Sequence, residues 1–251
     1  MNTENRPYAE RKFLVVVREP GLLEQVVDFG TWLVVPIVKL GWEAFEKIKQ
    51  RGLPAVIQVT ASDVTSLVFP PGHPEIGTVY TAHPVADSPR YYVTATFHQC
   101  LFEERVAEFA RVMRCAGAMK LTIEAERRTG GDADAMVKLR AAIAAIDPKL
   151  RVRQTSSTKL SISFRGGQGK PTELPPDLLF FKHEPTWRDA YDAAVTSGIE
   201  SYEAELETKD DFGLDARIAG EFFKNGFSIG GKYESHVYYR LRATVDFRQG
   251  A

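Results

Sequence analysis

Cysteine is nearly absent: Cys100 and Cys115 are the two in 251 residues. They form neither a CxxC pair nor a disulfide framework, which leaves a reducing compartment as the simpler expectation. Histidine is also scarce, with five residues, so donors for a metal centre are few. An excess of either charge is missing: 32 Lys and Arg stand against 33 Asp and Glu, a formal net charge of -1. Nonspecific nucleic-acid binding needs a basic surface to displace phosphate counterions, and this balance argues against it. Long apolar runs are missing as well. The most apolar stretch, Phe29 to Trp42 (FGTWLVVPIVKLGW), falls short of the ~20 residues of a spanning helix. The first residues, Met1 to Arg6, are polar and lack the apolar centre of a secretion signal. A soluble, cytoplasmic protein is expected.

What is present is ordinary for a globular chain: 44% hydrophobic and 26% charged residues. The pattern reads as α+β, a mostly antiparallel sheet with several packed helices and a long C-terminal strand. Phe13 to Val17 is a short apolar strand between charges. A helical stretch from about Leu22 to Gln50 stops at Gly52 and Pro54, and Ala55 to Thr60 returns to strand. Residues 70–90 hold Pro70, Pro71, Gly72, Pro74, Gly77, Pro84 and Pro89, interrupted by a short strand at Thr78 to Thr81. Long loops of this kind carry recognition surfaces.

The clearest helix holds Phe102, Val106, Phe109, Met113 and Ala116 at alternating spacings of four and three, one face of a 3.6-residue period. Glu103, Glu104, Glu108, Arg111 and Arg114 are assigned to the other side, and Gly117 to a left-handed stop. A strand follows at Met119 to Ala125. Residues 129–134 read as a turn that caps a helix over Ala135 to Ile146. Leu150 to Arg153 and Leu160 to Phe164 then form a hairpin through Thr155 to Thr158. Arg165 to Pro176, rich in Gly and Pro, is the expected boundary between an N-terminal α+β region (1–165) and a C-terminal one (177–251), the alternative being one continuous domain.

In the C-terminal part, Pro185 opens a helix with Trp187, Tyr191 and Val195 on one face, and Gly198 ends it. Ser201 to Glu207 alternates acidic with apolar residues. Leu214 to Lys224 is helical and stops at Asn225–Gly226. Tyr233 to Phe247 alternates strictly and is the long last strand. The acidic face of 201–207 and the basic Arg240 and Arg242 suit neighbouring antiparallel strands, with the 214–224 helix crossing between them.

Chemistry-bearing constellations are thin. His73, His83, His98 and Cys100 have ligand chemistry but no compact zinc spacing, and His73 and His83 each precede a proline. His98 with Glu103 or Glu104 resembles an acid/base pair without an oxyanion site or a further partner. Cys100 shows no local Cys-x-His pattern that would mark an activated nucleophile. Arg165 to Lys170 has no Walker spacing, and Gly213 to Gly231 no GxGxxG. Gly230–Gly231 reads as a bend entering the last strand. No catalytic residue, metal ligand or cofactor is assigned.

The leading expectation is therefore a nonenzymatic binding or assembly module acting through a protein interface, by partner binding or self-association and not on nucleic acid. Contact residues are expected at Trp32, Leu33, Val34, Val35, Ile37, Val38 and Trp42 in the tryptophan-flanked segment, whose other reading is a kinked core helix. One alternative is a membrane-acting effector that uses that segment as an anchor and the long strands as an inserting hairpin. Another is an enzyme with a site in the 73–100 region.

Overall fold

The computed structural model describes residues 12–17, 56–60, 62–85, 88–125, 137, 139–141, 143–144, 150–156, 159–164, 170–207, 216–224, 226–231 and 240–247. The helix expected over 22–50, the cap at 129–134 and residues 232–239 of the last strand lie outside them. The chain divides into two compact units, Met1–Phe97 with Asp210–His236, and His98–Lys209 with Val237–Ala251. The stretch 165–176, read as a boundary, falls within the second unit.

The first unit is built on a four-stranded sheet in the order β2–β1–β3–β4, from β1 (Phe13–Val17), β2 (Val56–Thr60), β3 (Val79–Ala82) and β4 (Tyr91–Val93). β1 pairs parallel with β2 and antiparallel with β3, and β3 pairs antiparallel with β4. The inner strands β1 and β3 are buried on both faces, which is why they read as unbroken runs rather than alternations. Two buried hydroxyls are satisfied within the sheet. Thr94 Oγ1 donates to the Val79 carbonyl at 2.7 Å and lies 3.0 Å from Thr81 Oγ1.

Helix α1 (Phe97–Cys115) carries the expected stripe: Phe102, Val106, Phe109, Met113 and Ala116 are all buried. Each large side chain removed from water this way contributes about 1.5–3 kcal/mol. Gly117, at φ 93°, ends the helix. The Ala118 N–H reaches the Met113 carbonyl and the Gly117 N–H the Arg114 carbonyl, both at 3.0 Å, the two bonds of a Schellman stop.

The second unit holds a five-stranded antiparallel sheet in the order β6–β7–β5–β9–β8, from β5 (Lys120–Ala125), β6 (Leu150–Ser156), β7 (Lys159–Phe164), β8 (Ser201–Glu207) and β9 (Arg240–Asp246). One row across its apolar face runs Val152, Ile162, Leu121, Val245 and Tyr202. Leu121, Ile162 and Val245 there are fully buried, so the alternation in sequence marks one covered face and one open one. The acidic and basic strands are neighbours as expected, with Glu205 opposite Arg242 and Glu207 opposite Arg240.

Four details depart from the sequence reading. The helix expected to cross between β8 and β9, here α3 (Ala216–Lys224), belongs to the first unit. β6 and β7 continue through Thr155, Ser156 and Lys159, residues expected in or beside the turn. Helix α2 (Pro185–Ser197) buries Trp187, Ala190 and Ala194, while Val195 is 41% exposed. The Trp187 ring packs against Phe109, 5.2 Å away.

The fourth concerns Glu108, which is buried rather than solvated. Its Oε1 accepts the backbone N–H groups of Phe180 and Phe181 at 2.8 and 2.7 Å, and its Oε2 that of Leu179 at 2.7 Å. One turn earlier Arg105 pairs with Glu184, and one turn later Arg111 holds both carboxylate oxygens of Asp177. Residues 105, 108 and 111 thus form a polar stripe that fastens the connector 177–184 antiparallel along the helix. Burial pushes the Glu108 carboxyl above its usual range, opposed by its three N–H donors and by Arg111.

Candidate functional site

The side chains that stand out on the first unit are apolar and exposed. In α3, Phe222 and Phe223 are adjacent, so a 100° step per residue can turn only one of them inward. Phe222 is fully buried, with its ring edge-on to Phe13 at 5.2 Å. Phe223 is 75% exposed. The helix stops in a second Schellman arrangement: the Gly226 N–H bonds the Phe223 carbonyl at 3.0 Å and the Phe227 N–H the Phe222 carbonyl at 3.1 Å. Gly226, at φ 82°, supplies the left-handed residue.

Beyond that stop the chain is stitched to β3. The Ser228 N–H bonds the Gly77 carbonyl at 2.9 Å, and the Val79 N–H bonds the Ser228 carbonyl at 2.8 Å. Ala95 donates to the Ile229 carbonyl at 2.9 Å. Gly230, at φ 78°, passes so close to β4 that an added Cβ would meet Val93 Cγ1 at 2.0 Å. The need for glycine at this position is the close approach as much as the bend.

Ile76 is the residue before Gly77, and it is 55% exposed. The loop that carries it is pinned from several sides. The Tyr80 hydroxyl lies 2.7 Å from His73 Nδ1 and accepts the Glu75 N–H at 2.7 Å. The His73 N–H bonds the Pro70 carbonyl at 3.1 Å, and the Gly77 N–H the Val16 carbonyl at 2.8 Å. Burial pushes the pKa of the Tyr80 hydroxyl above that of free tyrosine, so it stays protonated and able to bridge. Phe69 packs edge-on against Tyr80 at 4.9 Å and stacks on Tyr91 at 5.9 Å. Val68, 49% exposed, sits beside Phe69 and is bridged to Arg90. Phe223, Ile76 and Val68 are therefore held by ordered backbone rather than trailing from it.

The residues singled out from sequence fall elsewhere. Trp32, Leu33, Val34, Val35, Ile37, Val38 and Trp42 lie outside the described residues. His73 is engaged with Tyr80. His83 is fully buried, and its Nδ1 accepts the Val85 N–H at 3.1 Å. His98 and Cys100 lie in the first turn of α1, half-buried. Among the described residues no group of three or more His, Cys, Asp or Glu is placed to hold a metal ion. No described helix is long and apolar enough to cross a membrane.

Sequence reasoning did not single out Phe223 or Ile76. The Phe222–Phe223 pair was the available signal for the first. For Ile76 the signal was one large aliphatic residue inside a proline- and glycine-rich loop. No protein-family model, curated protein or solved structure matches the chain.

Proposed function

We propose that this chain is a nonenzymatic binding or assembly module whose first unit recognises a protein partner through Phe223, with Ile76 and Val68 as further exposed apolar residues of the same unit. The observation that carries the reading is Phe223 itself: a phenyl ring three-quarters exposed at the end of a helix whose adjacent phenylalanine is in the core. Exposed aliphatic side chains scattered singly are common on protein surfaces. A rigidly mounted aromatic is a different matter. Aromatic side chains anchor protein interfaces because they bury a large area at small entropic cost. The pinned 70–77 loop and the stitched 226–230 segment support the same reading, since contacts fixed in advance lose little freedom on binding.

A photo-crosslinking residue in place of Phe223, introduced into the full chain in its native cells, tests the proposal. A discrete crosslinked protein species is the expected result. The same residue in place of exposed Ser197 serves as the control. Equal, diffuse labelling from both positions would remove the reading.

A further inference from the structure

The five-stranded sheet ends on β6 at one side and on β8 at the other, and among the described residues no strand pairs with the outer side of either. Hydrogen bonding fixes which backbone groups these edges present. The Phe164 N–H bonds the Met119 carbonyl at 3.3 Å, so residues 160, 162 and 164 of β7 turn their backbone groups to β5, and residues 161 and 163 turn theirs to β6. Arg151 and Arg153, opposite Ser163 and Ser161, therefore bond inward, and Val152 aims its N–H and carbonyl outward. At the other edge the Phe247 N–H bonds the Glu200 carbonyl at 2.9 Å. Tyr202, Ala204 and Leu206 then bond inward to β9, and Ser201, Glu203 and Glu205 aim outward. The edges carry complementary side chains: Arg151 and Arg153 are exposed on β6, Glu203 and Glu205 on β8. Within the sheet Arg151, Arg153 and Glu203 stand opposite hydroxyl residues, and Glu205 stands opposite Arg242. On the apolar face Val152, Tyr202 and Ala204 are half-buried, while Ile162, Leu121 and Val245 between the edges are fully buried.

We infer that the second unit associates with further copies of this chain by joining β6 of one copy to β8 of the next, as parallel strands of one continued sheet. Five alternating strands leave β6 and β8 running the same way. A copy set alongside in the same orientation therefore meets the edge in parallel, open face beside open face, with outward groups reaching outward groups. Placing Val152 opposite Ala204 brings Arg151 to Glu203 and Arg153 to Glu205, and covers the half-buried apolar residues. Like edges repel, because two β8 strands set glutamates against glutamates and two β6 strands set arginines against arginines. Each edge thus finds its complement on the other edge of the same chain, which selects a second copy over a strand of unrelated charge. The contact is head-to-tail, so a docked pair still offers one edge of each kind and growth continues. An interface one strand long is small, so the association is weak, reversible and weakened by salt. It lies on the second unit and makes no use of Phe223.

Sedimentation velocity of the full chain at low salt, from about 20 μM to 1 mM, reads the association at the strength a small interface implies. The wild-type sedimentation coefficient is expected to rise with concentration past that of a dimer, and to fall back in ~0.5 M salt. Proline at residue 152 or 203 removes an outward N–H and leaves the ladder inside the sheet intact. Val152→Pro and Glu203→Pro, checked for native circular dichroism, are each expected to stay monomeric, the first with β6 blocked and the second with β8 blocked. Their equimolar mixture is expected to form dimers and stop there, because each copy keeps one usable edge. If either proline variant does not fold, R151E and E203R replace the pair. Each of these is expected to associate about tenfold more weakly than wild type, and their mixture to recover association, because opposite charges then meet at every junction. A wild type that stays monomeric throughout, a variant that associates as the wild type does, or a mixture that recovers nothing would each overturn the inference. So would a proline mixture that grows past dimers.

Discussion

Glu108 Oε1 accepts the backbone N–H of Phe180 at 2.8 Å, a bond that joins residues 72 positions apart. With the Leu179 and Phe181 donors, it makes this carboxylate the anchor of the connector 177–184. Glu108→Ala leaves three inward-facing N–H groups without their acceptor. A cost of about 2–4 kcal/mol is expected, measured by urea unfolding. Glu108→Gln, which keeps the oxygen facing Phe180 and Phe181, is the milder change.

The same carboxyl has a pH signature. Burial, its largest influence, raises its folded-state value above 4.5 despite the N–H donors. The folded chain then binds the proton more tightly than the unfolded one. Its contribution to stability is complete below the unfolded value and is lost as pH rises through the raised one. The unfolding free energy of wild type minus that of Glu108→Gln should therefore fall between about pH 4 and neutrality. A difference that grows over that range would contradict the assignment.

Gly230 tests the close approach to β4. An added Cβ meets Val93 at 2.0 Å, and φ of 78° is strained for any L side chain. Gly230→Ala is expected to lower stability by about 2–3 kcal/mol. A Gly230→Ala, Val93→Ala pair should recover part of that loss, because the clash partner is gone while the backbone strain remains. Thermal melting of the two variants provides the comparison.

Tyr80→Phe removes the hydroxyl that bridges His73 and the Glu75 backbone. A loss of about 1–2 kcal/mol is expected from the unmet N–H. Faster amide exchange at residues 73–77, with β3 itself unchanged, would show that the hydroxyl orders the loop carrying Ile76.

Much of the fold was legible because burial leaves a period. The α1 stripe, the alternation of β7 and β9, and the unbroken run of β1 each record which faces are covered. The pairing of β8 with β9 followed from complementary charges. What stayed hidden was set by contacts distant in sequence. Glu108 looks like Glu103 and Glu104 until the connector folds over it, and only its neighbours Ala107, Phe109 and Ala110 hint at an apolar setting. Val195 shares an i, i+4, i+8 spacing with Trp187 and Tyr191, yet 187, 190 and 194 form an equally good helical face and are the buried set. The partition of the chain was hidden for the same reason. A segment such as 210–236 carries no local mark of the unit it joins.

The two adjacent phenylalanines of α3 give the most direct test of the proposed function. Phe222→Ala and Phe223→Ser are compared by melting temperature and by crosslinking to the species captured from position 223, with a second photo-probe placed at Ile76 as the reporter. Phe222→Ala should melt well below wild type, by the ~3–5 kcal/mol of an emptied core site. Phe223→Ser should melt with the wild type and lose the crosslink. A Phe223→Ser protein that melts low while its crosslink persists would place Phe223 among the fold's supports and end its role as a contact.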